Sequence, residues 1–89
     1  MAIWSLTPVD LDDPNWEASS HRGPVIVRAP NEGRARELAA EAFDVKTGFP
    51  PGKGMLLPPW TRVNLVRARR VDDPRFEADG PLRVLEPSL

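Results

Sequence analysis

The chain has no cysteine, a single histidine and no long apolar run. Without cysteine there are neither disulfides nor thiolate metal sites, and the composition fits a reducing compartment. The apolar runs last only a few residues, too short for a membrane span or for the apolar core of an export signal. Met1-Ala2-Ile3-Trp4 also lacks the basic start of such a signal. The expectation is a cytoplasmic protein with no membrane association. Two stretches lack one sign of charge altogether: residues 1–21 hold four acids and no Lys or Arg, and residues 62–70 hold four Arg and no acid. The net charge of −1 gives no overall pull toward nucleic acid, but a balanced sum can hide a polarised surface.

What is there fits one small folded domain. Eighty-nine residues, 40% hydrophobic and 28% charged, are a globular composition with a modest core. The eleven prolines gather at element edges, where they punctuate the chain.

The clearest helical pattern runs over residues 31–43. Asn31 stands at the N-cap after Pro30, and Glu32 lies in the first turn. Ala35, Leu38, Ala39, Ala42 and Phe43 recur on one face, with Arg34, Arg36, Glu37 and Glu41 elsewhere. Strands are expected over Ala2–Val9, Val25–Ala29, Thr61–Val71 and Leu82–Glu86. Asp13-Pro14 suggests a short helical turn within the first loop. Residues 44–60 form an irregular, proline- and glycine-rich segment with one further helical turn conceivable up to Gly48.

An internal similarity organises these elements. Asp12-Asp13-Pro14-Asn15-Trp16-Glu17-Ala18 matches Asp72-Asp73-Pro74-Arg75-Phe76-Glu77-Ala78, and Gly23-Pro24-Val25-Ile26-Val27 matches Gly80-Pro81-Leu82-Arg83-Val84. The halves, about 2–30 and 61–87, thus read as a pseudo-repeat on either side of the helix, although such dipeptides are also common turn chemistry. The fold expected is α+β: a two-layer domain in the order ββαββ, a roughly four-stranded sheet with one helix on one face. Leu6, Val25, Val27, Val66, Ala68, Leu82 and Val84 should face the helix. Ser5, Thr7, Ile26, Arg28, Arg67, Arg69, Arg83 and Leu85 should lie on the opposite, open face. Val63 and Leu65 break the alternation, which calls for a bulge near Leu65 or a later strand start.

The open face is the first candidate site. Arg28, Arg67, Arg69 and Arg83, with Ile26 and Leu85 among them, could meet a protein partner or a second copy of the chain. They could also simply be solvated and paired with loop acids. Phe49 and Trp60 mark a second possible contact region in the segment Gly48–Trp60, with Trp60 expected to enter the core edge. A nucleic-acid reading of the arginines is the alternative, but sheet platforms for nucleic acid normally carry stacking aromatics, and none falls on this face. Asp10, Asp12 and Asp13 resemble part of a calcium loop but lack its central glycine and distal glutamate, so capping is the expected role. Gly48-Phe49-Pro50-Pro51-Gly52-Lys53-Gly54 fails the phosphate-loop spacing. His21, with Ser5, Ser19, Ser20 and nearby acids, permits an enzyme reading on paper, yet no nucleophile elbow is present. The expectation is a non-catalytic binding or interaction module that needs no metal and no cofactor.

Overall fold

The computed structural model describes residues 1–43 and 59–87. Four strands, β1 (Ala2–Pro8), β2 (Val25–Ala29), β3 (Val66–Val71) and β4 (Arg83–Glu86), form one antiparallel sheet in the order β3-β1-β2-β4. One helix, α1 (Glu32–Phe43), and two 3-10 turns, Pro14–Ala18 and Pro59–Thr61, complete the domain. The α+β architecture and the ββαββ order are those expected. The turn at Pro14 is also where it was expected, with the Asp13 carboxylate accepting from the Asn15 N–H at 2.8 Å. Phe49, the possible helical extension to Gly48 and most of the segment Gly48–Trp60 lie outside the described residues.

The helix starts as its cap dictates. Asn31 Oδ1 accepts from the Arg34 N–H at 2.8 Å, and the Asn31 carbonyl accepts from the Ala35 N–H. Ala35, Ala39, Ala40 and Phe43 are buried, and Leu38 and Ala42 are half-buried against the core. Small side chains bring the helix axis close to the sheet. The buried stripe also takes in Arg36, which was expected to point away and is only 7% exposed. Its guanidinium reaches Glu32 at 3.3 Å and donates to the Arg62 carbonyl at 3.4 Å, so burial is offset by partners at both ends of its fork.

Strand register fixes the faces. Leu6 stands opposite Val25 and Ala68, and Val27 opposite Trp4 and Val84. Leu6, Val25, Val27, Val66 and Val84 belong to the core with Ala29, Trp16, Trp60 and Leu65, and Ala68 and Leu82 pack against it. Thus all seven residues expected on the helix side are there. β3 begins at Val66, because residues 62–65 form a turn in which the Leu65 and Val66 N–H groups both donate to the Arg62 carbonyl. The break in alternation at Val63 and Leu65 is therefore a late strand start, not a bulge.

Two expectations about the open face do not hold. First, it is not open throughout. β3 and β4 lie at opposite edges, so residues 72–82 must cross from one side of the sheet to the other. The two halves are accordingly not equivalent strand pairs: β1 and β2 are neighbours, whereas β3 and β4 never meet. Second, Leu85 is buried, at 9% exposure. Val84 pairs with Val27 and Glu86 with Ile26, so Leu85 is the extra residue of a bulge and loses the alternation that would have exposed it.

Candidate functional site

The crossover sorts the expected arginines into two pairs. Arg28 lies beside Ile3 and opposite Arg83. Its guanidinium is engaged by the crossover: Nε donates to the Glu77 carbonyl at 2.8 Å and Nη1 to the Pro81 carbonyl at 3.3 Å. Binding two carbonyl dipoles offsets the repulsion of like charges placed directly opposite each other. Gly80 is what allows the approach. Its φ is +141°, and a Cβ there would lie 2.6 Å from Arg28 Nη1. Arg75, within the crossover, bonds the Asp73 carboxylate and Glu86, each at 2.8 Å, and lies 5.1 Å over the Phe76 ring. The hydrogen bonds from Arg75 hold the Asp73 carboxyl below its ordinary range, and by accepting them Asp73 raises Arg75.

Arg67 and Arg69 form the other pair, on β3, opposite Thr7 and Ser5. Both are exposed, and among the described residues neither side chain joins an ion pair or hydrogen bond. The helix and crossover arginines differ in this respect: Arg34, Arg36 and Arg75 are all paired with carboxylates. Ile26, half-buried, lies across β1 from Arg69, with Ser5 between them. No strand aromatic stands on this face: Trp4 points to the helix side and donates its indole N–H to the Ala29 carbonyl at 3.1 Å. β3 is a terminal strand, and among the described residues nothing pairs with its outer side.

Trp60 is not at the surface. It is fully buried in a ring cluster, 5.3 Å from Trp16 edge-on and 5.8 Å from Phe43. His21 stacks on the same group, 6.2 Å from Trp60 and 4.9 Å from Phe43, and its Nε2 lies 3.3 Å from the Pro24 carbonyl. Ser19 ties the cluster together: its hydroxyl accepts from the Trp60 indole at 2.9 Å and donates to the His21 carbonyl at 2.6 Å. The Ser20 N–H donates to the Phe43 carbonyl at 2.7 Å, one of the helix's last acceptors. Ser19-Ser20-His21 therefore joins the first loop to the helix C-terminus. The Asp10 and Asp13 side chains accept from backbone N–H groups two residues on, as Asp73 does. Among the described residues no group of three His, Cys, Asp or Glu is placed to hold a metal ion.

A cavity of about 300 Å³ opens where β1 begins and β3 ends. Ile3, Val71, Asp73 and Phe76 are among the residues that line it. Ile3 is 4% exposed, which shows how far the crossover closes this end of the sheet.

Comparison with protein families, with curated proteins and with solved structures finds no match to this chain.

Sequence reasoning placed Arg67, Arg69, Arg28 and Arg83 on the right face but joined them into one patch, which the crossover divides. It missed the cavity and the Ser19–Trp60 bond. The signal for the second was present: a loop Ser next to two buried tryptophans has an indole donor to satisfy.

Proposed function

We propose that the chain is a non-catalytic interaction module that takes an acidic, extended protein segment along β3. The observation that carries this reading is the pair Arg67 and Arg69, exposed on an edge strand and unpaired among the described residues. A terminal strand offers alternate N–H and C=O groups to an added strand, and side chains on its face then select the partner. Two arginines at i and i+2 point the same way and favour carboxylates at matching spacing. A second copy of this chain is disfavoured at this edge, because β3 against β3 would set arginine facing arginine.

The test is binding of a peptide with alternating Asp/Glu and Val/Ile, followed by salt titration. Arg67→Glu with Arg69→Glu should weaken binding about tenfold or more, as expected when two exposed pairs become repulsive. A single-stranded oligonucleotide serves as the competitor. If it binds more tightly than the peptide at low salt, the arginines serve nucleic acid instead. If neither binds, the edge is not a docking strand.

A further inference from the structure

We infer that the partner strand docks antiparallel to β3 on the backbone groups of Ala68 and Arg70, and that it carries the order acid, acid, apolar, acid. The inference rests on the strand-docking reading above and fixes its register. Val9 stands opposite Leu65, one step beyond the Pro8–Val66 pair, and its N–H donates to the Leu65 carbonyl at 2.9 Å. In an antiparallel ladder a bond between directly opposed residues marks a hydrogen-bonded pair, and such pairs alternate with non-bonded ones. Thr7–Arg67, Ser5–Arg69 and Ile3–Val71 are therefore the bonded pairs, so Arg67 and Arg69 direct their N–H and C=O groups inward to β1. Pro8, which has no N–H, falls at a position where the ladder to β3 needs none.

The residues between them, Val66, Ala68 and Arg70, direct their backbone groups outward. The Val66 N–H is already taken by the Arg62 carbonyl at 3.1 Å. The outward N–H groups left for a partner are those of Ala68 and Arg70, and among the described residues no strand pairs with them. A strand added there faces Arg67 and Arg69 at its non-bonded positions, where opposed Cα atoms are about 4.5 Å apart instead of about 5.5 Å. Carboxylates at those two positions meet the guanidinium groups at the closest spacing the ladder allows. Ala68 and Arg70 lie on the helix side, because their pairs with Leu6 and Trp4 do. Ala68 presents only a methyl group at the margin of the core, so an apolar side chain opposite it extends that core outward. Arg70 is exposed and takes a further carboxylate. Facing Arg70, Arg69, Ala68 and Arg67 in turn, the partner reads acid, acid, apolar, acid.

Amide hydrogen exchange on the free chain tests the register without any partner. The Arg67 and Arg69 amides should exchange at least about tenfold more slowly than those of Ala68 and Arg70. The opposite pattern overturns the inference. The second test is titration with the peptide Thr-Glu-Glu-Val-Glu-Thr, which should slow exchange at Ala68 and Arg70. N-methylation of its valine removes the donor to the Ala68 carbonyl and should weaken binding at least about tenfold. N-methylation of the two glutamates beside the valine, whose N–H groups point away from β3, should change it less than about twofold. The reversed peptide, Thr-Glu-Val-Glu-Glu-Thr, keeps carboxylates on Arg67 and Arg69 only by giving up Arg70, and should bind about threefold more weakly. If the unmodified peptide does not bind, the docking reading falls and the inference with it. If it binds but tolerates the methylated valine, or if the reversed peptide binds as tightly, the inference alone is overturned.

Discussion

Ser19 connects the first loop to the interior. A buried serine in a loop is usually a minor packing element, but here its hydroxyl is the acceptor for the Trp60 indole. Ser19→Ala would leave that donor buried with no acceptor, a cost of about 1–3 kcal/mol. Truncating Trp60 itself to Ala should cost about 3–5 kcal/mol through the cavity left behind, so the two substitutions separate the hydrogen bond from the packing. Chemical denaturation of Ser19→Ala measures the difference. A loss close to zero would mean that the indole finds another acceptor. His21 belongs to the same cluster, between Phe43, Trp60 and the Pro24 carbonyl, with its ring contacts spent on packing. Arg36 makes a related point about reading single residues. Helical periodicity assigns a position to a face by its Cα direction, but a long side chain can bury its stem along the core and still reach Glu32 and the Arg62 carbonyl.

At the scale of elements, the crossover is tied to the sheet by Arg28 where it passes Gly80, and by the Arg75–Glu86 ion pair. Gly80→Ala would place a methyl group against the Arg28 guanidinium and also force an L side chain into a left-handed φ, with an expected loss of about 1–3 kcal/mol. Arg28→Ala frees the two crossover carbonyls and should be destabilising by about 1–3 kcal/mol. Because the two residues touch, the double variant should be less destabilised than the sum of the singles, as the clash vanishes with the arginine. Additive losses in thermal or denaturant unfolding would show that Arg28 does not hold the crossover through Gly80. These elements also mark how far the sequence could be read. Strand alternation in Val25-Ile26-Val27 and in Arg67-Ala68-Arg69 placed the core face correctly, since a period of two is a local signal. The end of β3 toward Thr61 was overdrawn because Val63 and Leu65 look like strand residues, although they sit in a turn. Strand order was not legible at all. It depends on where residues 72–82 travel, and that path is set by contacts between Arg28 and carbonyls about fifty positions away. The bulge at Leu85 has the same origin: it exists only relative to the partner register on β2.

At the scale of the whole molecule, the sheet has two edges to protect. The β4 edge is four residues long and carries the bulge at Leu85, which itself discourages a further strand. β3 is longer and regular, and its protection is charge: Arg67, Arg69 and Arg70 are all exposed. Two copies joined along β3 would bring these arginines together, so the chain should sediment as a monomer at neutral pH. Neutralising the face while keeping strand propensity, with Arg67→Thr and Arg69→Thr together, removes that repulsion and substitutes residues that favour sheet pairing. The double variant should then self-associate with concentration in analytical ultracentrifugation, while unfolding with nearly unchanged stability, because neither arginine is tied to another described residue. The same variant should lose affinity for an acidic strand. A variant that stays monomeric would mean that arginine repulsion is not what keeps β3 unpaired. Self-association without loss of peptide binding would mean that the arginines guard the edge but do not select a partner. The two roles of the β3 charge can thus be separated in one protein by two measurements.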